Sequence, residues 1–235
     1  MRKIGFCHGA TFKVLNPFSK ENIDLFINCG CSAIEVNCHS IGEADKLDSI
    51  ETLINDFEYK SIHLPCDLKY KDDEITNGLL VKIEGYYNKI GAKLAVVHPD
   101  LIEDISVFDK YPAINWAVEN MDDRKAKYKN VEDMREFFEI NKQWGFVLDV
   151  GHCNANDKTM KLADDLIAGL KHKIREIHLS GYIVFHDPLY RTKQVEVIKR
   201  CKELDVPIII ESTFEKTDGI EGVAKEFDYI LENLG

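Results

Sequence analysis

Short apolar runs rich in Val and Ile recur along this chain about every 30 residues, the length of one strand-plus-helix unit, with a longer amphipathic stretch between most of them. They are Lys3–His8, Ala33–Cys38, Lys60–Pro65, Leu94–His98, Ile114–Asn120, Gly145–Val150, Glu176–Ser180 and Pro207–Ser212. They show little of the in–out alternation of a half-exposed sheet, as expected of parallel strands covered on both faces. Between them, Lys20–Cys29, Leu47–Phe57, Ile75–Ile90, Val131–Asn141, Met160–Leu170, Gln194–Leu204 and Gly219–Leu234 carry helical spacing, with Ile50, Leu53, Ile54 and Phe57 on one face of the second. Gly30, Gly91 and Asp205 stand where helices would stop. Asp100–Tyr111 leaves room for only a short helix.

Eight such repeats can close into a barrel or lie open as a doubly wound sheet. An open sheet usually carries a Gly-rich phosphate loop after its first strand. Here that loop reads Cys7–His8–Gly9–Ala10–Thr11, neither GxGxxG nor a P-loop. The expected fold is therefore α/β, a single (β/α)8 TIM barrel over residues 1–235, and 235 residues suit a domain of about 250.

The net charge of −11 disfavours broad attraction to nucleic acid or an anionic membrane, and no basic loop with interleaved aromatics stands out. Seven cysteines, odd in number and scattered, include a CxC at Cys29–Cys31 rather than the CxxC repeat of a zinc ribbon, so reduced thiols in a cytoplasmic protein are expected. No leader pattern opens the chain, and no apolar run nears the ~18 residues of a membrane span.

The chemistry gathers at the C-terminal ends of the runs: His63, His98, Glu119, Asp149 with His152, His178 and Glu211. In a barrel these ends converge on one pocket. Each residue alone has an ordinary reading as a satisfied polar group or a first solvated position. Yet Glu211 follows Ile208–Ile209–Ile210, Glu119 follows Trp116–Ala117–Val118, and Asp149 is enclosed by Phe146–Val147–Leu148 and Val150. Carboxylates set in such runs are costly to bury unless paired or metal-bound. Mixed imidazole and carboxylate ligands, with no convergent thiolate, suit Zn²⁺, Mn²⁺, Fe²⁺ or Co²⁺ better than Ca²⁺. The expected cofactor is a divalent transition metal, Zn²⁺ or Mn²⁺, as one to three ions, since Glu119 or Glu211 can bridge two. Cys66 and Cys153 are read as spectators.

Seven stretches in order, Ala33–Ile34–Glu35–Val36, Ser61–Ile62–His63–Leu64–Pro65, Val96–Val97–His98–Pro99, Val118–Glu119–Asn120, Leu148–Asp149–Val150–Gly151–His152, Glu176–Ile177–His178–Leu179 and Ile209–Ile210–Glu211, span nearly the whole chain. With these stretches the chain resembles the xylose isomerase-like TIM-barrel superfamily, which holds sugar (phosphate) isomerases and epimerases and the endonuclease IV enzymes. The epimerase resemblance implies a metal on Glu119, Asp149, His178 and Glu211, with Glu119 and Glu211 as the acid/base pair and His152 on substrate oxygens. The endonuclease IV resemblance implies one zinc on His63, His98 and Glu119, and a second on the same four residues. A third would rest on His152 and an Asp-x-His motif, where His186 fits but Val184 replaces the Asp and Asp187 is merely adjacent.

Three functions follow as expectations. An isomerase or epimerase would take a small carbohydrate or sugar phosphate, Glu211 removing the proton beside the carbonyl and Glu119 returning it. Arg191 and Lys193 could hold a phosphate or simply open a solvated helix. A zinc phosphodiesterase would use the histidine-rich shell, against the acidic charge. A metal-binding barrel with neither activity is the third, because this architecture hosts many functions.

Overall fold

Strand β1 (Ile4–Cys7) begins a series in which every strand pairs in parallel with the next in sequence: β2 (Ala33–Asn37), β3 (Tyr59–His63), β4 (Leu94–Val97), β5 (Trp116–Glu119), β6 (Gly145–Asp149), β7 (Ile174–Leu179) and β8 (Ile208–Ile210). β8 returns to pair with β1, Gly5 opposite Ile209, and closes the barrel. This is the (β/α)8 TIM barrel expected from the sequence, here in a computed structural model that describes residues 2–235.

Around it lie α1 (Lys20–Asn28), α2 (Glu74–Ile90), α3 (Val131–Ile140), α4 (Val150–Asn156), α5 (Lys161–Leu170), α6 (Leu189–Thr192), α7 (Val195–Arg200) and α8 (Glu221–Leu234). Side chains of Ser19, Asp73, Asn130 and Asp149 cap the N-termini of α1, α2, α3 and α4, each accepting from the N–H three residues on. Such a cap contributes about 1 kcal/mol. The main apolar core lies between strands and helices. No described helix is long and apolar enough to cross a membrane.

The other face of each strand points into the barrel, and period-two geometry sorts its residues by height. Low positions are apolar in several strands, with Leu94, Val96, Ala117 and Val147 in one cluster and Cys7, Ala33 and Ile209 in another. Two residues further along the same faces come His98, Glu119, Asp149 and Glu211, joined by His63 and His178. The lack of alternation noted in the sequence thus has a simple cause: the outer face is mostly apolar, and the inner face is apolar in several strands below the mouth.

Two expected helices change. Leu47–Phe57 is not an α-helix; a 3₁₀ segment over Ile41–Ser49 leads into turns. Its buried side chains Ala44, Leu47 and Ile50 recur every third residue, which matches three residues per turn rather than 3.6. Gln194–Leu204 holds only α7, and Lys193, with φ 57°, separates α7 from α6. Helix α4, directly after β6, adds an element that the apolar periodicity does not signal. Asp100–Tyr111 holds only a short helical segment, as expected, a 3₁₀ turn over Ile105–Lys110 that sets Phe108 edge-to-face with Trp116 and Trp144, ring centres 4.9 and 5.2 Å apart.

Closure tolerates nothing at Gly5, where an added Cβ would lie 1.6 Å from the Ala33 carbonyl oxygen. Gly5→Ala is expected to destabilise the fold by about 3 kcal/mol or more, at or above the top of the usual overpacking range. A urea-midpoint comparison with wild type reads this directly, and an unchanged midpoint would contradict the β1–β2 register.

Candidate metal centre

Glu119, Asp149, His178 and Glu211, from the ends of β5, β6, β7 and β8, each bring a ligand atom within 4.8 Å of the others. The first three are fully buried and Glu211 is 11% exposed, so the cluster opens to solvent on the Glu211 side. His178 Nδ1 lies 3.5 Å from Glu119 Oε2 and 3.4 Å from Glu211 Oε1. His178 Nδ1, Glu119 Oε1 and Asp149 Oδ2 have no hydrogen-bond partner although all are buried. Unpartnered buried polar atoms are rare and require an explanation. Three of them, converging from three strands with a carboxylate–imidazole composition, fit a divalent cation.

The orientation of His178 agrees with that role. Its Nε2 lies 3.2 Å from both Glu35 and Glu176, which hold a proton there and leave Nδ1 facing the cluster. A carboxylate holding the far nitrogen is the usual support of a ligating histidine. Asp149 is fixed twice: its Oδ1 accepts the His152 N–H at 2.7 Å, and its backbone N–H donates to Asn120 Oδ1 at 2.8 Å. Gly151 makes the tight entry into α4 possible, since a Cβ there would meet Ser180 Oγ at 2.7 Å and Asp149 Oδ1 at 3.1 Å.

His63, His98, His152 and His186 all stand against Glu119 or Glu211. His63 donates from Nδ1 to the Leu64 carbonyl at 3.0 Å and turns Nε2 to Glu119 Oε2 at 3.3 Å. His98 Nε2 lies 3.5 Å from the same oxygen. His152 Nδ1 donates to the Asn120 carbonyl at 2.8 Å and stands 3.1 Å from Glu119 Oε1. His186, with φ 48°, approaches Ser180 Oγ at 3.1 Å and Glu211 Oε2 at 3.7 Å. The doubt over an Asp-x-His motif is answered in its geometry: Val184 is 78% exposed, and Asp187 Oδ2 accepts backbone N–H groups from Ile183 and Val184.

Several functional neighbours escape a reading of the sequence alone. Glu35 and Glu176 obey the same rule as Glu119, a carboxylate inside an apolar strand, but stand one step below the strand ends. Asp122 is buried just past β5, within 4.0 Å of His152 Nε2, and accepts from Tyr182 Oη at 3.1 Å and from Arg124 Nε at 2.7 Å. Cys66, a spectator on sequence grounds, has its Sγ 3.7 Å from His98 Nδ1 and forms a second ligand group with His63 and His98. A thiolate-capable residue does therefore converge here. The segment after β5 also proves basic with an aromatic inside it, Arg124, Lys125, Lys127, Tyr128 and Lys129. Arg191 is paired with Asp218 at 3.1 Å and Lys193 lies over the Tyr229 ring at 4.5 Å, which fits the solvated-helix reading of that pair.

Electrostatically, the pocket is a set of carboxylates sharing protons with imidazoles. Burial pushes Glu211 up to about 8, helped by Glu119, Glu35 and Asp149, and burial likewise lifts Asp149 to about 6. Burial alone would lower His178, but Glu211, Glu35 and Glu119 raise it well above the usual imidazole value. A cation must displace these protons. Metal affinity is therefore expected to rise with pH, by about tenfold per unit below pH 8 for each proton released. Titration with zinc at pH 6, 7 and 8 in weak buffer, following the protons liberated, checks this; affinity independent of pH would contradict it.

No family model matches the chain. Among curated proteins, the histidine biosynthesis bifunctional protein HisB of Buchnera aphidicola subsp. Acyrthosiphon pisum is 30% identical over 115 residues, 47% of this chain. The chain spans only 29% of the length of that relative. Among solved structures, D-allulose 3-epimerase from Methylomonas sp. matches with TM-score 0.70 and 14% identity over 100% of this chain and 98% of the other. Endonuclease IV from Thermus thermophilus matches with TM-score 0.67 and 14% identity over 98% and 99%. Identity this low carries the fold and no more, and that fold is the (β/α)8 TIM barrel.

Proposed function

We propose that this chain is a metal-dependent isomerase or epimerase acting beside the carbonyl of a small carbohydrate or sugar phosphate. One divalent ion, zinc or manganese, would be held by Glu119, Asp149, His178 and Glu211. The observation that carries the proposal is the convergence of three unpartnered buried ligand atoms on Glu211, the one member of the group open to solvent. When bound, the ion supplies positive charge against which an enediolate can form. The chain's own groups do the rest. Glu211, facing the mouth, takes the proton from the carbon beside the carbonyl, and Glu119 returns it from the β5 side. His152 is held by the Asn120 carbonyl through Nδ1, which leaves Nε2 to orient substrate oxygens. Burial of Glu119 and Asp149 excludes water from the inner half of the pocket.

A second reading, phosphodiester hydrolysis, is favoured by one specific arrangement. His63 and His98 both turn to Glu119 Oε2, which is where a second ion would share that carboxylate, and the basic segment 124–129 follows the same strand. The two readings separate cleanly in solution. The metal-loaded protein is expected to exchange deuterium from solvent into at least one ketose of a broad panel. Glu211→Gln should lower that exchange by about 10²–10⁴-fold, the usual weight of a general base, with an unchanged circular dichroism spectrum. Cleavage of a duplex containing an abasic site, without sugar exchange, would instead make hydrolysis the function.

A further inference from the structure

We propose that Cys66 is a metal ligand, and that it completes a second, sulfur-containing cation site with His63, His98 and Glu119. The inference rests on the metal-centre reading above and adds to it a residue and a donor chemistry that the core group of carboxylates and one imidazole lacks. Its basis is distance. Nitrogen and oxygen ligands about 2.0–2.1 Å from a tetrahedral zinc ion stand about 3.3–3.4 Å apart, and a sulfur about 2.3 Å from it stands about 3.6 Å from a nitrogen. His63 Nε2 and His98 Nε2 lie 3.3 and 3.5 Å from Glu119 Oε2, and Cys66 Sγ lies 3.7 and 4.0 Å from the two ring nitrogens of His98. The sulfur and the two imidazoles gather within 4.8 Å of one another, and Glu119 meets that group through the imidazoles.

The ligands are also pre-oriented. The Nδ1–H of His63 is committed to the Leu64 carbonyl at 3.0 Å, which leaves the Nε2 lone pair directed inward. The turn that carries Cys66 is pinned on both sides. The Leu64 N–H donates to the Val96 carbonyl at 2.9 Å, and Tyr70 Oη donates to the Pro65 carbonyl at 2.7 Å. On binding, the thiol gives its proton to solvent and the sulfur–metal bond forms in its place. Two imidazoles, a thiolate and a carboxylate fill a tetrahedral shell and leave no open position, the mark of a structural rather than a substrate-binding site. The thiolate also shifts preference toward zinc, iron or cobalt and away from magnesium and manganese. Glu119 would then bridge the two sites, held in place by the closed ion while the core site keeps the substrate.

Cobalt(II) is the probe. Metal-free wild type titrated with Co²⁺ should develop a thiolate-to-cobalt charge-transfer band in the near ultraviolet together with visible d–d bands. Cys66→Ser should lose the ultraviolet band and keep visible bands from the core site, while Cys7→Ser, removing the thiol next to Glu35 and Glu211, should keep both. An ultraviolet band that survives Cys66→Ser, or visible bands without any ultraviolet band in wild type, overturns the proposal and leaves the core site intact. Absence of all cobalt bands overturns the metal-centre reading as well. Zinc-edge X-ray absorption of the wild type gives an independent check should the variant not fold: a sulfur shell at about 2.3 Å is expected, and nitrogen and oxygen alone would refute the assignment.

Discussion

Desolvated negative charge governs the interior of this barrel. Glu35, Glu119, Asp149, Glu176 and Glu211 all project into a space from which most water is excluded, and none has a lysine or arginine partner there. Isolated carboxylates in such a place would be severely penalised. The chain offsets the penalty with imidazoles, and the raised affinity of His178 and His152 for protons is the direct expression of that exchange. Protons are a serviceable counter-charge but a diffuse one. A divalent ion supplies the same charge at a single point and satisfies the atoms that protons leave unpaired.

The scaffold follows from that constraint. Carboxylates can be brought this close only on elements too rigid to splay apart, and short strands in a closed parallel barrel have no free edge along which to slip. Two details transmit the rigidity to the ligands. The cap from Asp149 to the His152 N–H ties the end of β6 to the first turn of α4. The Glu35 and Glu176 pair on His178 ties β2 to β7 across the interior, which fixes the ring plane as well as its protonation.

Much of this is legible in one sequence because barrel geometry is repetitive. A polar residue just after an apolar strand run can mean only the mouth, so Glu119, Asp149, His178 and Glu211 can be placed together without any contact information. Glu35 and Glu176 are less visible because they occupy the layer below, where a carboxylate looks like an interruption of the run rather than its end. Cys66 looks idle because it follows its strand by three residues, and only the turn through Leu64 and Pro65 brings its sulfur back to His98. The expected helix over Leu47–Phe57 fails for a different reason. Spacings of three and four residues are both present, and the local choice of 3₁₀ geometry depends on packing that propensity does not encode.

The rim between β5 and β7 is built differently from an Asp-x-His motif. Val184 faces solvent, and Asp187 is used up by backbone N–H groups, so neither offers a carboxylate to His152 and His186. The carboxylate facing His152 Nε2 is Asp122, 4.0 Å away, and Arg124 already pairs with it while its guanidinium covers the Phe185 ring at 4.3 Å. A fixed positive charge therefore stands beside the two histidines that would have to accept a third cation. Burial pushes His186 down to about 3, with the charge on His152 acting in the same direction and Arg124 adding to it. Arg124 and Asp122 thus hold this side of the mouth as a paired charge against Phe185 and Tyr182, not as a free cation.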